Sequence, residues 1–441
     1  MPLSEELRIR LLGAVDSGSL IFLCGAGLSM PQPSGLPSAA RVAQICYDDW
    51  LANEPNLAPA LRNDVDLLAA HFHGQNLFAS VFIPRVPWNE LTGPPNKGHA
   101  AVADFLISRA SCAALSANFD TMIEHWAQER KVALKGALTG QDAVDPLCTA
   151  GVSPLLKFHG CMNLDRPNTL WTGGQLNEPT IQNRVTSSTQ WMGLHLPGKH
   201  IVVVGFWTDW GYLNNVLADA FAVNNAASVT VVDTGSTTDL QTKAPDLWAK
   251  MTGLSVSFDH VQASGADFLD ELRQEFSKSW SRRYFALGAT QANAMGIASP
   301  TTYGDTMSCD ELYNVRQDGE GVPYNKAART NRPDGSSAQA AFVHHQLQAA
   351  GATHDGPWLE LAGRKIRVIN GAGQDLATVK ESYKEPATVK GADLVICAGA
   401  NDLAVPAKII ASGHGSSILR PGAGGNAAWM TREQAMAALG V

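Results

Sequence analysis

The chain has 441 residues, 45% hydrophobic and 17% charged, with a formal net charge of −8. That length predicts two or three domains able to bury real cores, and the acidic balance excludes nucleic-acid binding through overall charge. The charge is uneven: from Ser281 onward there are 15 Lys+Arg against 14 Asp+Glu, which leaves 18 against 27 before it. Neither part carries the basic stripe that DNA or RNA binding requires. Seven cysteines (Cys24, Cys46, Cys112, Cys148, Cys161, Cys309, Cys397) are odd in number and never form a Cys-x-x-Cys pair, the pattern of a reduced, cytoplasmic chain. Residues 1–10 lack an apolar signal region, and no run approaches the ~20 apolar residues of a membrane span, so the expectation is a soluble protein with no membrane partner.

In chain order, the pattern predicts an amphipathic helix over 4–16 and a buried strand over 19–23. Helical periodicity follows at 41–51, 61–73 and 99–108. A strand at 112–116 leads to a helix at 121–130, and a short strand at 154–158 ends at His159. The near-continuous apolar run 199–204 predicts a central parallel strand covered on both faces. A helix at 213–223, a strand at 228–233 and a helix at 266–280 complete the region. Strands alternating with helices predict an α/β, doubly wound parallel sheet. From 285 the texture changes to small residues over 286–306 and a polar stretch over 318–337, which places a boundary between a domain 1–284 and a smaller α/β domain 285–441. In the latter, strands at 365–370 and 392–397 precede the turns Gly371-Ala372-Gly373 and Gly399-Ala400-Asn401-Asp402, and the second unit continues to residues 418–425.

The stretch Cys24-Gly25-Ala26-Gly27-Leu28-Ser29 follows the first apolar strand. A glycine turn there lets backbone N–H groups approach phosphates, and the next helix N-terminus adds partial positive charge. Three later stretches accompany it: Ser116-Ala117-Asn118-Phe119-Asp120, Lys157-Phe158-His159-Gly160, and residues 201–205 followed by Asp209. Gly25, Asn118 and His159 all sit at predicted carboxyl ends of strands, where open α/β sheets bind ligands.

In this order and spacing the four stretches resemble the sirtuin family, over about residues 15–280, and lie closer to its bacterial antiviral effector branch than to the protein deacylases. The resemblance implies a Rossmann-like sirtuin core with NAD as substrate. It implies that Asn118 orients the ribose and a water, and that His159 accepts a proton, a task suited to an imidazole with an ordinary pKa near ~6.5. Gly25, Ala26, Gly27, Ser29, Asp120, Gly205, Asp209 and Asp233 are the implied NAD-binding residues: Ser29 on phosphate, Asp233 on the adenosine ribose at the end of its strand. Each has a plainer reading. His159 is then a satisfied histidine at a strand end, Asn118 a turn residue, and Asp120 the N-cap of the next helix. Ser29 is then a helix-entry serine, Asp209 a cap for a helix starting near Tyr212, and Trp207 and Trp210 core residues.

Departures from the family shape the expected chemistry. Deacylating sirtuins carry two Cys-x-x-Cys pairs for zinc between the His and the later glycine; here only Cys161 lies between His159 and Gly205, so no metal is expected. The deacylase Phe-Arg pair is replaced by Ser38-Ala39, and the spacing from the first motif to Gly35-Leu36-Pro37 is longer by about two residues. His71-Phe72-His73 and His344-His345 have helical offsets that point to different faces, which argues against zinc. Asn96 and His99 read as structural. The expectation is NAD hydrolysis to nicotinamide and ADP-ribose by a triggered, homo-oligomeric antiviral effector; deacylation, ADP-ribosyl transfer and a non-catalytic binding module are the alternatives. The turns beyond 365 faintly resemble small nucleotide-sensing domains, which makes a small nucleotide or a partner protein the candidate trigger.

Overall fold

The computed structural model describes residues 3–139, 151–208, 214, 226–252, 257–298, 307–321, 331–383, 391–400 and 428–441. Cys148, Asp209, Trp210, the helix expected at 213–223 (Asn214 apart), Asn401, Asp402 and residues 418–425 lie outside them. The chain divides into two compact units, Met1–Arg273 and Gln274–Val441.

The first unit is built on seven strands: β1 (Leu20–Cys24), β2 (Ala113–Ser116), β3 (Gly136–Ala137), β4 (Leu155–Lys157), β5 (His200–Val204), β6 (Ser228–Asp233) and β7 (Ser257–Gln262). All pair in parallel, in the order β3-β4-β2-β1-β5-β6-β7. The chain passes from β1 to β2 on one side and crosses back to β5 on the other, so the order reverses at β1 and opens a crevice at its carboxyl end. Every residue of β1 and β2 is buried, as sheets covered on both faces require. On one face Ile21, Leu23, Leu115, Ile201, Val203, Val229 and Val231 pack with Trp191, Trp207, Leu240 and Leu247. On the other, Phe22 meets Phe105 with ring centroids 5.3 Å apart. Phe105 belongs to the helix Lys97–Ile107, buried from Gly98 to Ile107, and its one acid, Asp104, is paired with Arg273 at 2.7 Å. Beside the sheet, residues 42–91 form a separate aromatic core of Phe72, Phe78, Phe82 and Trp88, into which Met162 and Trp171 also pack.

Two elements depart from the sequence expectation. The helix expected to end at residue 280 runs from Gly265 to Ala294. Among the small residues of 286–294, Gly288 allows close packing: a Cβ there would lie 2.5 Å from the Ala341 carbonyl carbon. Between β4 and β5 stands an unexpected helix, Pro179–His195, whose mostly polar sequence hides its period.

The second unit holds a five-stranded mixed sheet, β12-β11-β10-β9-β8, from β8 (Thr353–Asp355), β9 (Trp358–Leu361), β10 (Arg364–Asn370), β11 (Leu394–Ala398) and β12 (Ala428–Thr431). β10, β11 and β12 run parallel, while β8 and β9 form an antiparallel meander onto β10. Its interior holds the bidentate pair Arg367–Asp318, at 2.8 and 2.5 Å.

The turns after β1 and β5 interlock. A Cβ on Gly25 would lie 2.6 Å from the Gly205 oxygen, and one on Gly205 would lie 2.4 Å from the Leu28 nitrogen; Gly205 also has φ +59°. Gly205→Ala therefore combines a left-handed backbone with a backbone clash, whereas Gly18→Ala (φ +62°, nothing within 4 Å) has the first alone. The expected result is a stability loss of about 1 kcal/mol for Gly18→Ala and a clearly larger one for Gly205→Ala. Thermal melts of the two variants side by side check it; equal losses would mean that the close approach contributes nothing.

Candidate functional site

The glycine turn after β1 spends its N–H groups within the protein. Gly25 N–H donates to the Val204 carbonyl at 3.0 Å and Gly27 N–H to the Gly205 carbonyl at 2.9 Å, while Leu28 and Ser29 close a short 3-10 turn onto Gly25 and Ala26. Those two amides are therefore engaged by β5 and the turn that follows it. The Ala26 amide is the one in this turn with no protein acceptor among the described residues. The glycines themselves are required by the approach of Gly205, which serves β1–β5 contact in the way expected of a ligand contact.

Ser29 is also otherwise engaged. Its hydroxyl donates to Asp120 Oδ2 at 2.8 Å and accepts from Asn118 Nδ2 at 3.2 Å. His99 Nδ1 accepts from the Asn96 N–H at 3.2 Å, which places the ring proton on Nε2, 3.0 Å from Ser29 Oγ. His99 is thus part of a buried chain, His99–Ser29–Asp120, that the sequence reading left as structural. Its signal in sequence was only its position in the cap of Lys97–Ile107, where Asn96 caps and holds the Leu28 carbonyl at 2.8 Å. Asp120 does not cap the next helix; Thr121 occupies that position, and Asp120 Oδ1 instead accepts the Met122 N–H at 3.1 Å.

Asn118 follows β2 and its amide orientation is fixed. Nδ2 donates to the Gly25 carbonyl at 3.1 Å, an atom that can only accept. Both amide protons are therefore used, and Oδ1 is left as an acceptor for a ligand hydroxyl or water. His159 follows β4, the neighbour of β2, and its ring is hydrogen-bonded to the Ala117 backbone beside Asn118. Burial, reinforced by the Arg184 guanidinium, pushes the imidazole down to about 3, against that hydrogen bond. The ordinary value expected from sequence gives way to a ring held neutral. Lys157, buried next to it in sequence, donates to the Asp120 carbonyl and pairs with Glu124 at 3.0 Å. Asp233 ends β6 with Oδ1 accepting the Gly235 N–H at 2.8 Å, which ties one carboxylate oxygen into its own turn.

No family model matches this chain, and no curated protein matches it. Solved Sir2 structures are similar over about three fifths of it. One, from work on the mechanism and regulation of Sir2 enzymes, is 14% identical over 63% of this chain and 100% of that one, with a TM-score of 0.34. A Sir2 homologue solved with NAD is 13% identical over 60% of this chain and 91% of its own, at 0.33. A Sir2 enzyme bound to a propionylated peptide is 15% identical over 60% and 97%, at 0.33. Likeness at this level bears on neither substrate nor activity.

Burial also holds His99 down, to about 4, with Asp120 opposing and Lys157 adding to the shift. Both histidines bind a proton more readily unfolded, near 6.5, than folded. The stability this represents is complete above pH 6.5 and is lost as pH falls toward about 4 for His99 and about 3 for His159. The Tm is expected to drop between pH 6.5 and 5, above the ordinary carboxylate range, and His99→Gln is expected to flatten that slope while lowering the Tm at pH 7.5. An unchanged slope in a folded His99→Gln protein would contradict the buried-neutral assignment.

Proposed function

We propose that this chain is an NAD glycohydrolase that cleaves NAD to nicotinamide and ADP-ribose. The observation that carries the reading is the placement, at adjacent strand ends, of an asparagine with a fixed amide and a buried histidine. Breaking the N-glycosidic bond passes through an oxocarbenium-like state, which needs an oriented ribose, a placed nucleophile and one proton acceptor. Asn118 Oδ1 is an acceptor suited to a ribose hydroxyl or the attacking water, and His159, at the neighbouring strand end, is the proposed proton acceptor. The C1′–N bond breaks with its electron pair staying on nicotinamide, the water oxygen bonds C1′, and His159 takes the water's proton. The Ala26 amide and the surrounding turn, with Gly25, Gly27 and Gly205 shaping it, are the place for the pyrophosphate, and Asp233, with one oxygen outside its turn, the place for the adenosine ribose. Asp209 keeps its proposed role in NAD binding. Ser29 and Asp120 act by holding Asn118.

Water is the acceptor of choice because the segment after His159 is filled by its own chain. Gln175, fully buried, accepts from the Trp171 and Thr172 amides and donates to the Thr169 carbonyl. Trp171 packs 4.5 Å from Phe119. Free NAD hydrolysis is toxic to a cell, so such an enzyme is kept silent until triggered, in keeping with a role in antiviral defence by NAD depletion. The unit Gln274–Val441 is the candidate seat of that control, through assembly, a partner protein or a small nucleotide.

The test is NAD consumption by purified wild type, Asn118→Ala and His159→Ala, alone and with added cyclic nucleotides or cell extract as trigger, with products resolved by chromatography. Nicotinamide and ADP-ribose in equal amounts from the wild type, reduced by ~100-fold or more in His159→Ala, are expected. Wild-type turnover in a folded His159→Ala protein would reject the mechanism.

A further inference from the structure

Helix Pro179–His195 carries one side chain that none of the motifs contains. Arg184 is 3% exposed and points its guanidinium into the segment that follows β4. Nε donates to the Phe158 carbonyl at 3.2 Å, and Nη2 donates to the Asn168 carbonyl at 2.7 Å and, at a longer 3.4 Å, to that of His159. Nη1 pairs with Asp165 Oδ2 at 2.8 Å. Gly160, at φ +101°, makes room: a Cβ there would lie 3.3 Å from Nη1 and 3.2 Å from Thr169 Cα. The His159 carbonyl also accepts the Leu170 N–H at 2.9 Å, so the segment folds back on itself around the guanidinium.

We propose that Arg184 is the positioning residue of His159, a buried fork that fixes the backbone on both sides of the imidazole and faces it with a positive charge. The proposal rests on the reading of His159 as the base, and it assigns Arg184 no contact with substrate. The planar fork matters, because several carbonyls in different directions are met by one rigid group, which a lysine ammonium on a flexible stem cannot reproduce. Charge matters separately. Arg184 is a charged side chain that bears on His159, Asp165 pairs with it as a counter-ion, and the buried charges Asp120 and Lys157 act on His99.

Geometry and charge are separable by Arg184→Gln, Arg184→Lys and Asp165→Asn, compared with wild type and His159→Ala. NAD cleavage is measured from pH 5 to 8, and the His159 ring is titrated by NMR in NAD-free, histidine-labelled protein, its signal assigned by its loss in His159→Ala. Arg184→Gln is expected to lower kcat by up to ~100-fold with little change in KM, as a displaced catalytic group does. Its ring titration should move up, because the opposing charge is gone while burial, the larger cause, remains. Arg184→Lys should restore the ring titration and only part of kcat. Asp165→Asn keeps the carbonyl bonds and leaves the charge uncompensated, so its kcat should stay within a few-fold and its ring titration should not rise. Full activity and an unshifted ring in either folded Arg184 variant would overturn the proposal while leaving NAD cleavage intact. A shifted ring in a chain that never cleaves NAD would uphold the positioning role and reject the hydrolase reading instead.

Discussion

The contact on which the first unit depends is backbone against backbone. The turns after β1 and β5 approach so closely that side chains are excluded at Gly25, Gly27 and Gly205, and the Gly25 and Gly27 amides donate to the Val204 and Gly205 carbonyls. This closes the switch point of the sheet from below and makes the Gly25 carbonyl a fixed landmark. Asn118 is oriented by that carbonyl, Ser29 by Asn118 and His99, and Asp120 by Ser29. A glycine motif read as a phosphate cradle is here first a device for locking two strands together.

Two buried cations then hold the loops that carry the candidate chemistry. Lys157 grips the Asp120 carbonyl and Arg184 grips the carbonyls around His159, each with one carboxylate partner, Glu124 and Asp165. Pairs of this kind add little net stability over apolar packing, but removing one partner costs several kcal/mol, so they specify one arrangement. Neutral imidazoles at His99 and His159 follow from the same burial that makes these pairs costly to break.

What the sequence made legible follows from simple periodicity. The apolar runs of β1, β2, β5 and β6 announce a parallel sheet, and Asn118 and His159 stand out because they directly follow such runs. Helix Pro179–His195 was hidden because threonine, serine, asparagine and glutamine dilute its apolar stripe, and Arg184 was hidden with it. β7, exposed or half-exposed along its length, reads as polar chain. His99 was visible as a residue but its partner lies 70 positions away, at Ser29, and no spacing rule reaches that far. The small residues past 285 changed the texture of the sequence without ending the helix, because close helix packing and loose coil draw on the same residue types.

Arg184 takes hold of main-chain oxygens, and a carbonyl is the same whatever side chain its residue bears. The segment from residue 161 to 168 is therefore held near its two ends through the backbone, while Met162 packs into the aromatic core and Asp165 pairs with the guanidinium. Exposed side chains there, such as Leu164, are free to drift without moving the histidine beside them. A lineage carrying this clamp can vary the exposed side chains of the segment by ordinary substitution while the backbone around His159 stays in place.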